Sequence, residues 1–424
     1  MGTNTTFTFS TWRRHMEQKK RWDLLALASI PLMMTLGNSM LIPVLPLIEK
    51  EINITPFQSS LIISIYSFIA ILLIPISGYI SDKIGRKKVI IPSLLIVGIG
   101  GAISAVAAWQ MENPYIIIMI GRFLQGIGAA GAFPVVLPTV GDMFKKEEEV
   151  SQGLGIIETA NTLGKVLSPI LGALLAVVLW YMPFIAIPIL SFLSALLVFF
   201  LVKVPKSDDK EEKASPSFRT FIQGLKETFK NNGRWLFAVF FIGCILMLVL
   251  FGFLFHFSAL LEEKYKIDGY MKGLILAIPL LLLCIASFTS GKIIGEEKRR
   301  MKWFILAGNA TAAVSLFFVK PELGLFIFTL LLTIAGIGIG FSLPCLDALI
   351  TEGIAKEERG SVTSFYSSMR FVGVAFGPPI IALMMKNASD FIYFGLAGIS
   401  LLAALITFFA IKPSPDEKKE TTAT

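Results

Sequence analysis

Apolar residues in this chain gather into runs of about 20, parted by short polar stretches, from one end to the other. A helical run of that length crosses a hydrocarbon core roughly 30 Å thick, at about 1.5 Å per residue. Lipid offers no partner for an unpaired backbone amide or carbonyl, so each run must be a helix. The pattern predicts spans at 23–46, 60–80, 89–109, 115–138, 152–177, 184–202, 235–260, 273–294, 303–319, 323–346, 361–385 and 391–411. The expected fold class is an all-α membrane protein of twelve transmembrane helices. An even number of spans brings both termini to one side.

Composition agrees and charge adds a direction. Of 424 residues, 54% are hydrophobic and 16% charged, against about 25% charged in soluble domains. Segments on the side of the N-terminus carry 29 of the 38 Lys and Arg residues, and the opposite loops carry 6. The remaining three are Arg122, Lys165 and Arg370, inside spans. This excess predicts cytoplasmic termini and a multi-pass protein of the cell membrane. It also accounts for the net charge of +8 without nucleic acid as a partner. Cys244, Cys284 and Cys345 fall within spans at spacings that suit neither a disulfide framework nor a metal. The chain lacks GxxxxGK[ST] and has only two histidines, so neither an ATP-driven pump nor a His-based enzyme is expected.

The organisation follows from the loops. Residues 1–22 form a basic tail without the apolar core of a cleavable signal, and 412–424 form a second tail. The loop at 203–234 divides the spans into halves at 23–202 and 235–411. It opens on a charged stretch whose composition predicts disorder. Phe218, Phe221, Ile222, Leu225 and Phe229 then recur at helical spacing among basic residues, predicting an amphipathic helix on the inner leaflet. The halves repeat weakly: QGIGAAGAFP (125–134) aligns with AGIGIGFSLP (335–344), and GKVLSPI (164–170) with GVAFGPP (373–379). Two repeated six-helix halves are one way to build a transporter, with the substrate between them.

Three stretches resemble motifs of the major facilitator superfamily, in particular its twelve-span drug:proton antiporters. Gly78, Asp82, Gly85, Arg86 and Lys87 match the basic turn after the second span, and Arg122-x-x-Gln125-Gly126 is similar to the family's fourth-span motif. Gly155, Gly164, Ser168, Pro169 and Gly172 resemble its antiporter motif, with Ser168 and Ala173 standing where the family has glycine. The resemblance implies a secondary active exporter of lipophilic drugs or small metabolites such as a siderophore. It also implies alternating access driven by the proton gradient, with no cofactor. Asp82 would then lie near the start of the eleventh helix as part of a gate, and Arg122 would assist proton movement.

An ionisable side chain at the bilayer centre costs roughly 3 kcal/mol or more, so each one inside a span needs a reason. Arg122 is either a proton-handling group or a hydrogen-bond hub with Gln125. Glu158, Asn161, Thr162 and Lys165 share one side of the fifth helix. Glu158 is the leading carboxylate for proton coupling; its alternative is a static pair with Lys165, about 10 Å along the axis. Arg370 is expected to face the cavity and meet an acid or an anionic cargo. Asp347 reads equally well as a helix-end residue, and His256 as an interfacial one. Tyr66, Phe68, Phe240, Phe241, Met247 and Phe251 are candidates for an adaptable pocket.

The leading reading is proton-coupled efflux by a monomer, with a small molecule, protons and the bilayer as partners. Nutrient import or lipid-precursor flipping is the alternative within transport. A non-transporting receptor or scaffold is the alternative outside it.

Overall fold

The computed structural model describes residues 18–144, 147–202, 218–294, 297–320, 322–354 and 356–411. Twelve long helices follow one another there: α1 Gln18–Ser39, α2 Pro56–Ile84, α3 Arg86–Gln110, α4 Tyr115–Met143, α5 Glu147–Val178 and α6 Met182–Leu201. They continue as α7 Phe218–Glu263, α8 Gly269–Ile294, α9 Lys298–Phe317, α10 Leu325–Gly353, α11 Lys356–Asn387 and α12 Ile392–Ala410. Eleven are long and apolar enough to cross a membrane; α9 opens on Lys298-Arg299-Arg300, which lowers its hydropathy. Large apolar side chains such as Leu72, Ile99, Phe200, Phe326 and Leu401 are more than half exposed on the outer surface. That surface suits hydrocarbon, where apolar exposure carries no penalty.

Local chemistry sets several boundaries. Thr55 opens α2 with a capping box: its hydroxyl accepts from the Gln58 amide, and the Gln58 side chain accepts from the Thr55 amide at 2.9 Å. Gly85 ends α2 with φ +102°, a conformation that L side chains rarely adopt.

The expected first span at 23–46 is interrupted. α1 stops at Ser39, a 3₁₀ turn follows at Ile42–Val44, and a short helix runs on from Leu45 to Glu51. Pro43 and Pro46 explain the break, because each removes a backbone donor.

The amphipathic stretch is part of α7, so the boundary drawn at 234/235 falls inside one helix of 46 residues. Its axis is bent. The ring centroids of Phe229 and Phe240 lie 5.8 Å apart, whereas 11 helical residues advance about 16 Å. Gly233 sits between them and marks the bend. Residues 203–217 of the loop, 1–17 and 412–424 lie outside the described residues, and 18–22 of the expected N-terminal tail belong to α1.

Neighbour choice follows a rule. α1 packs on α5 and α6, α3 on α4 and α6, and α2 on α4. Likewise α7 packs on α11 and α12, α9 on α10 and α12, and α8 on α10. The two sets meet where α2 lies against α11 and α5 against α8.

Missing side chains permit these approaches. A Cβ on Gly172 would stand 2.0 Å from the Met40 carbonyl oxygen, at the break after α1. One on Gly164 would be 3.0 Å from the Thr35 side chain, and one on Gly373 2.1 Å from the Cys244 carbonyl oxygen of α7. Gly155 differs from the packing role expected of it, since nothing lies within 4 Å of where its Cβ would be.

Gly172→Ala should therefore destabilise the protein by more than about 2 kcal/mol, as an overpacking substitution against backbone. Gly155→Ala should be neutral or gain up to about 1 kcal/mol from better helix propensity. Unfolding midpoints in detergent test this contrast, and equal effects would contradict it.

Candidate functional site

Arg122, two turns into α4, is completely buried and holds three helices. Its Nε donates to the Ile62 carbonyl of α2 at 2.8 Å, and Nη1 to Gln125 Oε1 at 2.6 Å. Nη2 donates to Asn38 Oδ1 of α1, and the guanidinium lies 4.7 Å from the centre of the Tyr66 ring. These partners are all neutral. The arrangement is a hydrogen-bond hub across three helices, and such bonds are what a buried cation requires.

A second group of charges lies where the two sets of helices meet. On α5, the Glu158 carboxylate accepts from Asn161 Nδ2 at 3.3 Å, while the Thr162 hydroxyl donates to the Glu158 backbone carbonyl at 2.7 Å and lies 3.4 Å from the carboxylate. Asn161 in turn accepts from Thr35 of α1 at 2.6 Å. Among the described residues no ion pair joins Glu158 to Lys165, so a static pair between them is not formed. Lys165 is buried, one helical stretch further along, within electrostatic range of Glu158, Arg370 and Asp347. The Cys284 thiol of α8 approaches the Thr162 carbonyl at 3.4 Å, which ties α8 to this region.

Across from it, Arg370 of α11 faces Asp347 of α10 at 3.6 Å and lies 5.7 Å from the centre of the Tyr366 ring. Asp347 is therefore more than a helix-end residue: it is the acid that Arg370 was expected to meet. Sequence reasoning undervalued it because 23 positions separate the pair on different helices. Tyr366 itself packs on α7, its ring reaching to within 2.6 Å of where a Gly243 Cβ would be.

Beside Lys165 a narrow cleft opens between the α1 break and α5, α7 and α8, lined by Ser39, Pro43, Ser168, Pro169 and Phe251. The Ser168 hydroxyl is turned inward, donating to the Lys165 carbonyl at 3.0 Å. Aromatic candidates divide. Phe251 lines this cleft, Phe240 stacks toward Tyr366 with centroids 6.1 Å apart, and Tyr66 and Met247 are buried. Phe68 and Phe241 are 48% exposed, so they serve the outer surface or its clefts and not this pocket. His256 is buried and hydrogen-bonded to the Tyr393 hydroxyl at 2.9 Å, so it is a core residue and not an interfacial one.

The turn after α2 is built as a clamp. Arg86 pairs with Asp142 at the end of α4 at 3.0 Å, and also donates to Ser81 Oγ at 2.8 Å. Lys87 donates to the Phe199 and Val202 carbonyls that end α6, at 2.7 and 2.8 Å. Gly78 lies against Ser364 of α11, whose Oγ would be 3.7 Å from its Cβ. The side chain of Asp82 lies outside the described residues.

At the opposite end, sequence reading missed a network. Glu262 of α7 binds Lys272 of α8 at 2.9 Å and also Lys50, on the short helix after α1. Ser258 donates to the Ile42 carbonyl at 3.0 Å, and Ser59 to Glu49. The charges were visible, but 212 positions separate Lys50 from Glu262, and no periodicity links them.

Comparisons with known proteins point one way. The family model described as Major Facilitator Superfamily matches residues 27–378 and 302–424. The Bacillibactin exporter of Bacillus subtilis is 51% identical over 93% of this chain and 98% of its own length. Macrolide efflux protein A of Streptococcus pyogenes is 27% identical over 78% of this chain and 82% of that protein. A D-xylose–proton symporter structure shares the fold with a TM-score of 0.74, at 14% identity, over 93% of this chain and 98% of that one. A human organic anion transporter structure does so with a TM-score of 0.71, at 17% identity, over 92% of this chain and all of that one. With its helices, its three motifs and its relatives in agreement, the chain belongs to the major facilitator superfamily of membrane transporters.

Proposed function

We propose that this protein exports a small metabolite across the cytoplasmic membrane in exchange for protons, as a monomer, by alternating access between two six-helix halves. The matching neighbour sets of α1–α6 and α7–α12 support the halves. So does the equivalence of Gly164 and Gly373, each packed on the first helix of its own half. The distribution of Lys and Arg supports cytoplasmic termini. The Lys50–Glu262–Lys272 network then lies on the outer side and supports a conformation closed there.

One observation carries the reading: Arg370 and Asp347 of one half face each other at 3.6 Å, and Glu158 and Lys165 of the other half stand on α5, the helix that packs across the junction on α8. No packing need explains four ionisable groups at that depth, and their insertion is costly. Among the described residues the Glu158 carboxylate is held by a long bond from Asn161, which a donor on a cargo can replace. A cargo hydroxyl or amide is accepted more strongly by the ionised carboxylate, and a proton weakens that acceptor. Competition for one group leads to exchange in place of co-transport. Lys165 and Arg370 suit a cargo with anionic or strongly electron-rich oxygens. The cargo class we assign is a secondary metabolite such as a siderophore. Bacillibactin, named in the 51% identical relative, is the first to test, with lipophilic drugs second.

Inverted vesicles with an imposed pH gradient test the assignment. Bacillibactin should accumulate while the gradient stands and stop when it is collapsed; accumulation indifferent to the gradient would refute proton coupling. Glu158→Gln should reduce gradient-driven accumulation to background, while cargo affinity in detergent stays within about tenfold, or 1.4 kcal/mol. Full transport by that variant removes Glu158 from the mechanism.

The turn after α2 is assigned to the cytoplasmic gate. The approach of Gly78 to Ser364 of α11 supports this, because Asp82 follows one helical turn later on α2, toward the end from which α11 starts. There the helix dipole favours a carboxylate. Asp82→Asn should lower turnover at least about tenfold and change cargo affinity by less than about threefold. The reverse pattern, measured by initial rates and binding isotherms, would move Asp82 from gating to cargo recognition.

A further inference from the structure

The bend at Gly233 leaves an apolar cleft at the basic end of the protein, outside the charged junction. Phe229, Phe237, Phe240, Phe365, Met369 and Ile406 line it, between α7, α11 and α12. Its mouth lies where α12 ends. There Arg234 Nη2 donates to the Phe409 carbonyl at 3.0 Å, and Lys302 Nζ to the Phe408 carbonyl at 2.8 Å. Arg234 lines the cleft itself, and exposed Lys230 precedes it by one turn.

Capping accounts for part of this. Lys87 holds the end of α6 through the Phe199 and Val202 carbonyls in the way that Lys302 holds α12. It does not account for a second cation at α12, or for the cleft beneath it. An arginine has five donors, and the carbonyl of Phe409 takes one of them. The remainder stand at the mouth of a groove lined by rings, in a belt where Phe237 and Phe409 are about 60% exposed.

From this geometry we infer that the cleft binds one anionic phospholipid. Its phosphate is held by Arg234 and Lys302, and an acyl chain lies along Phe229, Phe237 and Met369. The chemistry is complementary at both ends: fixed cations meet a phosphate, and an apolar groove at bilayer depth meets a chain. The bound lipid wedges the bent segment of α7 against α11, the helix that carries Arg370. This site is independent of the cargo assigned above.

The test uses the full chain, purified in detergent and stripped of lipid, with phosphatidylglycerol and phosphatidylcholine of identical chains as probes. Retained adducts are counted by native mass spectrometry, and melting shifts are recorded alongside. The wild type should prefer phosphatidylglycerol by on the order of tenfold, and Arg234→Gln with Lys302→Gln should erase that preference. Arg234→Lys should keep most of it, which separates charge from misfolding. Lys292→Gln, an exposed cation at the same end of α8, should change nothing. Ala410→Trp, which fills the mouth of the cleft, should weaken both lipids.

The inference falls if the double variant keeps the preference, or if Lys292→Gln loses as much. It also falls if glycerol 3-phosphate alone competes fully, since the site would then take a free phosphate. Loss of cargo transport without loss of lipid retention in Ala410→Trp would make the cleft a cargo entrance, and would equally overturn it.

Discussion

Hydrocarbon gives a charge or a backbone dipole no partner, so every polar group at membrane depth must find one within the protein. Arg122 meets this constraint most completely. Its guanidinium is used by a side chain of α1, a carbonyl of α2, Gln125 of its own helix and the face of Tyr66. Three helices are thereby held in one arrangement, and the break after α1 is fixed beside them. Neutral partners leave the cation its charge while satisfying its donors, which makes Arg122 a pivot of the first six helices.

The groups at the junction of the two helix sets are satisfied more loosely. Arg370 and Asp347 stand 3.6 Å apart, longer than a well-formed charged hydrogen bond. Among the described residues the Glu158 carboxylate has a weak local donor, Asn161, at 3.3 Å. Loosely held ionisable groups can exchange partners, and fully held ones cannot. Arg122 and this cluster therefore differ in kind: the first is held by neutral partners on three helices, and the second brings ionisable groups of different helices toward one another. The Lys50–Glu262–Lys272 network adds a third behaviour, since it ties the short helix after α1 to α7 and α8 by groups near the surface.

Glycine positions show the same economy of contact. A Cβ on Gly172 would collide with the backbone of the break after α1, and one on Gly164 would stand tight against Thr35 and the Leu32 carbonyl of α1. Gly155 belongs to the same sequence motif yet faces open space. A motif therefore marks positions, and only the packed structure says which of them are under steric constraint. Phe229 makes the same point for direction: the hydrophobic pattern identified an amphipathic helix, and only the packed structure shows that Phe229 meets Phe365 of α11, with ring centroids 6.1 Å apart.

The sequence by itself determined the number and approximate limits of the helices, the basic end, and the identity of Arg122, Glu158 and Arg370 as residues needing a reason. These are properties of one span at a time, because transfer into lipid is decided by length and composition along a single helix. Tertiary structure alone decided which charges meet. Asn38 reaches Arg122 across 84 positions, Asp347 reaches Arg370 across 23, and Lys50 reaches Glu262 across 212. Such pairings depend on the rotation and neighbours of whole helices. Those are fixed by close approach at small residues on other helices, and no local pattern encodes them.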